Sequence, residues 1–222
     1  MSSAESVKVV LLGESGVGKT SIINQFTTGT FDPEVVTSIS AQYVSKTVEY
    51  ENFQKAIKFD IWDTAGQEKY RALAKIFYKE AKIVLLVYDI SDRKSFDELK
   101  EYWYHAIKEN VDTDVIIAIV ANKSDLYNSS QVSEEEAREF AKSIDALFQS
   151  TSAKSSEGIN VLFDNIGQKY FDPNFDFNAI DTKQKEEYQK KKQEIKQKKK
   201  EPKGMKITAE TAKQEKKKKG CC

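Results

Sequence analysis

The segment Gly13–Thr20 reads GESGVGKT and directly follows the apolar run Val7–Leu12. A strand that ends in glycines can wrap its backbone N–H groups around a polyphosphate, and the helix after it directs its positive dipole end at the same anion. In this pattern Lys19 is expected to contact the β- and γ-phosphates, and the Thr20 hydroxyl to bind the Mg²⁺ between them. The alternative is an ordinary glycine-containing turn between a strand and a helix. The spacing predicts that the chain binds a nucleoside triphosphate.

A carboxylate and a carboxamide follow a second apolar strand. Asp63 comes after KFDIW and begins the string DTAGQE. A carboxylate at the end of a strand is suited to hold Mg²⁺ through water, although aspartate also caps helices. Gly66 is expected to let a backbone N–H reach the γ-phosphate. The Gln67 side chain can both donate a hydrogen bond to an attacking water and accept one from it; a solvated loop glutamine is the alternative. This segment predicts a hydrolytic site.

Two further strings point to recognition of guanine. NKSD begins at Asn122, directly after the apolar run VIIAIVA. The Asp125 carboxylate can accept hydrogen bonds from N1–H and the N2 amine of guanine, an edge that adenine lacks. Asn122 is expected to brace the neighbouring loops, and the Lys123 stem to lie against the base. TSAK ends at Lys154 and places the Ala153 N–H where it can reach the guanine O6 atom.

The elements that must position these residues alternate along the chain. Short apolar runs rich in β-branched residues predict strands buried on both faces, at Val7–Leu12, Ile57–Trp62, Ile83–Ile90, Val115–Ala121 and Ala146–Ser150. Helical periodicity occurs at Thr20–Thr28, Glu68–Lys79, Lys94–Asn110, Ser133–Ser143 and Ile159–Phe171. The alternation predicts an α/β fold of three layers, with helices on both faces of a mostly parallel sheet.

One strand of this sheet is expected to be antiparallel. The stretches Gln42–Tyr50 and Lys55–Trp62 are separated only by Glu51–Gln54, a spacing typical of a hairpin. The predicted sheet therefore has about six strands. Ser91 and Asp92 precede one predicted helix, and Ser133 with the acids after it precedes another, both patterns typical of helix starts.

The net charge of zero conceals two oppositely charged parts. Residues 183–222 contain 16 lysines and 6 acidic residues, so this tail carries +10 and residues 1–182 carry −10. A basic tail suits either nucleic acid or an anionic membrane surface, and composition does not decide between them. The only cysteines are Cys221 and Cys222, which excludes a disulfide framework or a cysteine metal site in the core. With no recognisable leader sequence and no apolar run of about 20 residues, the chain is expected to fold in the cytosol.

The strings GESGVGKT, WDTAGQEKY, NKSD and TSAK occur in this order. Together they resemble the nucleotide-binding boxes of the Ras superfamily of small GTPases, and the terminal Cys-Cys is similar to the prenylation signal of its Rab family. The resemblance implies a P-loop NTPase G domain at 7–171, after an N-terminal extension at 1–6 and before a flexible lysine-rich tail at 172–222. It implies GTP and GDP as bound nucleotides and Mg²⁺ as cofactor.

The resemblance also assigns roles to single residues. Catalysis is assigned to Lys19 and Gln67. The metal ligands are Thr20, Ser38 and, through water, Asp63. The nucleotide-binding residues are Glu14, Ser15, Gly16, Val17, Gly18, Lys19, Thr20, Ser21, Phe31, Ser38, Gly66, Asn122, Lys123, Asp125, Ser152, Ala153 and Lys154.

Two mobile segments are implied, switch I between Phe31 and Tyr43 and switch II from Asp63 onward. Phe31 is expected to pack edgewise against the guanine. The resemblance also implies an effector surface, for which simple core packing of the aromatic rings is the alternative. This surface consists of Ile39, Tyr43, Trp62 and Phe77.

Switch I departs from the family pattern. Family members usually carry Thr-Ile-Gly where this chain has Ser38-Ile39-Ser40. Serine keeps the ligating hydroxyl but lacks the methyl that restricts the side chain, so we expect a more weakly ordered GTP state. Thr37 takes this role if the register is shifted by one. No arginine stands in switch I to act in cis, so slow intrinsic hydrolysis and a stimulating partner are expected.

The chain ends in Lys216–Lys219 followed by Gly220-Cys221-Cys222. Two prenyl groups anchor a protein stably where one is marginal, and each adjacent lysine adds about 1 kcal/mol on an anionic leaflet; an unmodified thiol pair is the alternative. We expect the protein on the cytoplasmic face of intracellular membranes, with a cytosolic pool bound to prenyl-binding escort and dissociation-inhibitor proteins. EKYRALAKIFYKEA and VANKSDL are similar to the early-endosomal branch of the Rab family.

Three functions are compatible with these features. The first is a GTP-switched GTPase with a monomeric G domain that recruits effectors to membranes in vesicle traffic and works with activating and exchange proteins. The second is a hydrolysis-deficient GTP-binding scaffold with an altered switch I. The third is a nucleic-acid-binding GTPase. The acidic domain, the arginine-free tail and the cysteine pair argue against the third, so no nucleic-acid partner is expected.

Overall fold

The computed structural model describes residues 4–33, 42–63, 79–111 and 114–175. Within these ranges the strands form one sheet in the order β2-β3-β1-β4-β5-β6. β2 is antiparallel to β3, and the other neighbouring pairs are parallel, which confirms the predicted arrangement. The strands are β1 Glu5–Leu12, β2 Gln42–Tyr50, β3 Lys55–Asp63, β4 Ile83–Asp89, β5 Ile116–Asn122 and β6 Leu147–Ser150.

The burial of each strand follows its position in the sheet. β4 lies in the interior of the sheet and is buried along its whole length, as expected for a parallel strand covered on both faces. β3 instead alternates, with Ile57, Phe59 and Ile61 buried and Lys58 and Asp60 partly exposed. The β2–β3 hairpin therefore has one packed face and one face that is half open to solvent.

Helices lie against both faces of the sheet. Asp92 and Ser133 cap two of them: the Asp92 carboxylate accepts from the Lys94 N–H and the Ser133 hydroxyl from the Glu136 N–H, each at 3.1 Å. These caps satisfy N–H groups that have no partner inside a helix. The helices are α1 Lys19–Thr28, α2 Arg93–Glu98, α3 Tyr104–Lys108, α4 Glu134–Ser143 and α5 Ile159–Phe171.

The prediction of one α-helix over Lys94–Asn110 is wrong in its interior. A π turn at Leu99–Trp103 joins α2 to α3, and the helical segment ends at Lys108. Within the π turn the Tyr104 N–H donates to the Leu99 carbonyl, five residues back. The apolar spacing in this stretch fits a regular α-helix and does not specify this choice of hydrogen-bond partner. The predicted helix Glu68–Lys79 lies outside the described residues except for its last residue, which is in a turn.

Two apolar layers result, one on each side of the sheet. On one side Phe26 of α1 stacks on Phe163 of α5 with ring centroids 3.5 Å apart, and Phe59 of β3 meets the same Phe163 edge-on. On the other side α2, the π turn and α4 cover a cluster that includes Leu86 and Phe96. The three-layer α/β architecture predicted from the sequence is confirmed.

None of the helices in the described ranges is long and apolar enough to cross a bilayer.

Candidate nucleotide-binding site

Buried polar side chains concentrate where the parallel strands end. Burying such groups costs free energy unless they are hydrogen-bonded, so their clustering marks this edge of the sheet as special. The loops after β1, β3, β4, β5 and β6 meet here because parallel strands share the direction of their carboxyl ends. Six of the eight buried polar residues in the described ranges lie at this edge, namely Lys19, Asp63, Asp89, Asn122, Thr151 and Ser152.

The loop after β1 needs glycine at two places where neighbouring strands of the sheet approach closely. A Cβ at Gly13 would lie 2.1 Å from the Val87 carbonyl oxygen, and one at Gly18 would lie 2.4 Å from Asn122 Nδ2. Both glycines also have positive φ, +146° and +96°, which L side chains rarely adopt. The loop is thereby held against β4 and β5, and its last glycine leads directly into α1.

Lys19, the first residue of α1, is buried inside this loop. Its Nζ donates to the carbonyls of Gly13 and Glu14, each at 2.9 Å. Burial lowers the pKa of the Lys19 ammonium to about 8, while the carboxylates of Asp63 and Glu14 act in the opposite direction. An ammonium at the start of a helix and in a desolvated loop is well placed to bind an anion such as a phosphate.

Asp63 reaches the same loop through the register of the sheet. The pairing of β1 with β3 sets Asp63 beside Leu11, and its Oδ2 accepts from the Thr20 hydroxyl at 2.5 Å. Asp63 is therefore the last residue of a strand and contacts the predicted metal ligand of the P-loop. Hydroxyl and carboxylate oxygens are ligands that Mg²⁺ prefers, so the donor chemistry of this pair fits the ion.

Asn122, at the end of β5, links three loops. Its Nδ2 donates to the Val17 carbonyl at 2.8 Å, and its Oδ1 accepts from the Thr151 hydroxyl at 3.2 Å. The Ser124 N–H donates in turn to the Thr151 carbonyl at 3.0 Å. One buried amide thus fixes the phosphate-binding loop relative to the NKSD and TSAK segments, the bracing expected of this residue.

The Asp125 carboxylate is oriented by the loop after β6. The Ser152 hydroxyl donates to Asp125 Oδ1 at 2.6 Å and accepts from the Ser155 N–H at 3.1 Å. The Ser152 hydroxyl thus engages one of the two carboxylate oxygens, and Ala153 follows Ser152 directly in the chain. The two residues expected to read guanine therefore belong to loops that are hydrogen-bonded to each other.

Lys123 has a partner that sequence reasoning missed. Its Nζ lies 2.7 Å from Asp89 Oδ2, and Asp89 Oδ1 accepts from the N–H and hydroxyl of Ser91 at 2.8 and 2.7 Å. Lys123 has φ +62°, in the left-handed region. The available signal was the position of Asp89 at the end of a buried strand, the same position that pointed to Asp63.

The remaining predicted site residues divide into two groups. Within the described ranges, Glu14, Ser15, Gly16 and Val17 lie in the first loop, Ser21 in α1, Lys154 in the turn after β6, and Phe31, which is exposed, after the end of α1. The others lie outside the described residues, namely Ser38, Gly66, Gln67, Ile39 and Phe77 of the predicted effector surface, and Cys221 and Cys222 of the predicted lipidation site.

Tyr43 and Trp62, two members of the predicted effector surface, are cross-strand neighbours on the half-open face of the hairpin. Their ring centroids are 5.3 Å apart, and the Tyr43 hydroxyl donates to Asp60 Oδ1 at 2.6 Å. Tyr43 is 49% exposed, whereas Trp62 is partly buried against the core cluster of the α2–α4 side. The alternative of core packing therefore holds in part for Trp62 and does not hold for Tyr43.

The comparison with known families agrees with this geometry. The Ras family matches residues 8–172, most of the chain. The chain belongs to the Ras family. Ras-family proteins are GTPases, so the loop after β1 is the P-loop of a GTPase.

Individual relatives narrow the family. The chain is 42% identical to the human Ras-related protein Rab-22A over 163 residues, which cover 73% of this chain and 82% of the relative. It is 40% identical to Rab-31 of Rattus norvegicus over 169 residues, 76% of this chain and 85% of that protein. RabJ of Dictyostelium discoideum is 39% identical over 162 residues, which cover 73% of this chain and 62% of that protein. The chain is thus a small GTPase of the Rab type.

Proposed function

We propose that this Rab GTPase is a membrane switch that binds GTP and GDP with Mg²⁺, hydrolyses GTP slowly on its own, and recruits effectors in vesicle traffic while GTP is bound. The observation that carries the proposal is the Asn122 amide, which ties the P-loop at Val17 to the segments that hold Asp125 and Ser152. Because the segments that contact the phosphates and the base are linked, the site can differ between its GTP-bound and GDP-bound forms.

The roles of the described residues follow from their contacts. Lys19 and the loop N–H groups neutralise the phosphates, and Asp125 accepts from the guanine edge. Thr20 and Asp63 would hold Mg²⁺, the Asp63 carboxylate through water, and the ion would supply positive charge against the phosphates. The Asp89 carboxylate fixes the Lys123 ammonium, so that the Lys123 stem lies along the base.

Hydrolysis is assigned to residues that follow Asp63. Gln67 orients the attacking water, and Ser38 adds a hydroxyl to the metal site. Because no arginine stands in switch I, an activating protein supplies the remaining charge neutralisation. The second candidate function, a hydrolysis-deficient scaffold, rests on Ser38-Ile39-Ser40 in place of the usual Thr-Ile-Gly.

Membrane attachment is assigned to prenyl groups on Cys221 and Cys222, next to Lys216–Lys219. The cytoplasmic face of endosomal membranes is the proposed location, on the strength of the similarity to the early-endosomal branch. Escort and dissociation-inhibitor proteins hold the prenylated protein in the cytosol, and exchange factors load it with GTP. Tyr43 supplies exposed aromatic area to effectors, and Trp62 packs beside it.

Single-turnover hydrolysis of GTP tests the central part of the proposal. The wild-type protein is expected to hydrolyse GTP slowly, and an activating domain for Rab proteins should accelerate it by a factor on the order of 10³ or more. Gln67→Leu should bind GTP normally and lose this acceleration. No hydrolysis with any such domain would support the scaffold, and full acceleration of Gln67→Leu would contradict the role of Gln67.

A further inference from the structure

We infer that Trp103 is a positioning residue for the P-loop, a role that rests on the proposed nucleotide site. Its indole Nε1–H donates to Glu14 Oε1 at 3.0 Å across 89 residues of chain. Trp103 is 1% exposed, and Glu14 is the second residue of the loop. Hydrogen bonds to an ionised group are stronger than those between neutral partners, so this contact can hold a loop residue in one place.

Trp103 reaches the loop from within the core. Phe96, Leu99, Trp103 and Ile107 all belong to one buried cluster on the same side of the sheet, and Trp103 is the last residue of the π turn Leu99–Trp103. The indole ring is therefore packed in this cluster, while its Nε1–H, at the edge of the ring, donates to Glu14. π turns are rare and frequently occur at functional sites.

The contact restrains Glu14 at both of its ends. Trp103 holds the carboxylate, while the peptide carbonyl accepts from Lys19 Nζ at 2.9 Å. With both ends held, the N–H groups that follow Glu14 keep the orientation needed for a phosphate. The tether also keeps Oε1 on the side of the π turn. A released carboxylate would be free to approach the phosphates and repel them.

Release of a fluorescent GDP analogue, chased with excess GDP, tests this role. Trp103→Phe keeps an aromatic ring and removes the donor, and Glu14→Met removes the acceptor. Each is expected to speed release by about threefold to tenfold. The double variant should be no faster than the faster single variant, because both changes remove the same contact. Tyr104→Phe, one residue further along the same helix, is the matched control and should leave the rate unchanged.

The indole ¹⁵N–¹H resonance of Trp103 provides a readout that general destabilisation would not reproduce. Glu14→Met should move this resonance to the position of a weakly bonded indole, and Glu14→Gln, which keeps an oxygen acceptor, should move it less and release GDP more slowly than Glu14→Met. The resonance reports the tether even in a protein that binds no guanine nucleotide. Failure of the proposed function would therefore appear as absent GDP binding with the resonance still sensitive to Glu14.

Three outcomes would overturn the inference. One is a Trp103 resonance that does not respond to Glu14→Met. Another is unchanged GDP release in Glu14→Met, a loop variant that leaves the core intact even where Trp103→Phe does not fold. The third is strict additivity of the two rate effects, which would show that Trp103 and Glu14 act separately.

Discussion

The two ends of the sheet are held together by different kinds of contact. At the nucleotide end, buried polar groups such as Lys19, Asp63 and Asn122 join loops through hydrogen bonds. At the opposite end, the turn between β2 and β3 packs on the last turns of α5 through aromatic rings. We call this second region the aromatic end and define it by Tyr50, Phe53, Phe163, Gly167 and Phe171.

The aromatic end is closely fitted. The Phe171 ring centroid lies 5.6 Å from that of Tyr50 and 5.2 Å from that of Phe53. The buried Tyr50 hydroxyl donates to the Phe163 carbonyl at 2.9 Å, and burial raises the pKa of Tyr50 well above its usual value. A Cβ at Gly167 would lie 1.9 Å from the Tyr50 hydroxyl oxygen, so α5 approaches the ring as closely as a helix can.

The contrast shows which end of the sheet can open to exchange a ligand and which end stays packed. Hydrogen-bonded loops with few apolar contacts open at low cost in free energy, and a site that exchanges a ligand must do so. Aromatic packing gives stability without regard to the ligand. Substitutions at the nucleotide end should therefore change nucleotide binding more than folding, and substitutions at the aromatic end should do the reverse.

The largest effect is expected for Asp125→Asn at the nucleotide end. An asparagine side chain has one oxygen to accept from a guanine donor, and its amide N–H faces the other donor. GDP affinity should therefore fall more than 100-fold, about 3 kcal/mol or more. Competition against a fluorescent GDP analogue measures this. Xanthosine diphosphate, which carries a carbonyl where guanine has its amine, should regain affinity for the variant. Unchanged GDP binding would remove Asp125 from the site.

The next largest effect is expected for Gly167→Ala at the aromatic end, and it concerns the stability of the fold, not the affinity for GDP. The new methyl displaces the Tyr50 ring and breaks its hydrogen bond to Phe163, which should lower the free energy of unfolding by about 2 to 3 kcal/mol. Denaturant unfolding with saturating GDP measures it, and GDP release should stay near the wild-type rate.

The matched background for this variant is Tyr50→Ala, in which the obstructing ring is absent. Gly167→Ala should cost much less there, because two residues in contact are not additive. An equal cost in both backgrounds would show that the ring is not the cause.

The smallest effect is expected for Asp89→Asn, which keeps an oxygen for Ser91 and loses the charge that faces Lys123. Because Lys123 is partly exposed, solvent screens the pair, and we expect GDP release to accelerate only about twofold to fivefold. Lys123→Met should produce a similar change, and the double variant should add little to it. Faster release than in Asp125→Asn would invert the ranking and show that Asp89 contributes more than positioning.

Local sequence signals determined most of the fold. The predicted bounds of β2 and α5 agree with the structure, and Ser133 and Asp92 cap the helices whose starts they predicted. These features depend on neighbouring residues alone: a period of two for the hairpin, a period near 3.6 for α5, and a side-chain oxygen before a helix. They are therefore readable without knowledge of the tertiary structure.

The order of the motifs likewise determined which residues form the site, because carboxyl ends of parallel strands meet at one edge. Sequence alone did not give the partners that hold them. Asp89 against Lys123 and Ser152 against Asp125 require knowledge of which loops are neighbours.

Only the tertiary structure decided the π turn and the close fit at Gly167. The apolar residues Phe96, Leu99, Trp103 and Ile107 keep the spacing of a regular α-helix and all lie in one buried cluster, so their pattern does not reveal the π turn between them. Glycine at 167 reads locally as an unfavourable helix residue, and its reason is a tyrosine that is 117 positions earlier in the chain. Residue types and periodicity specify the elements and the chemistry, whereas contacts between distant segments specify how firmly each functional group is held.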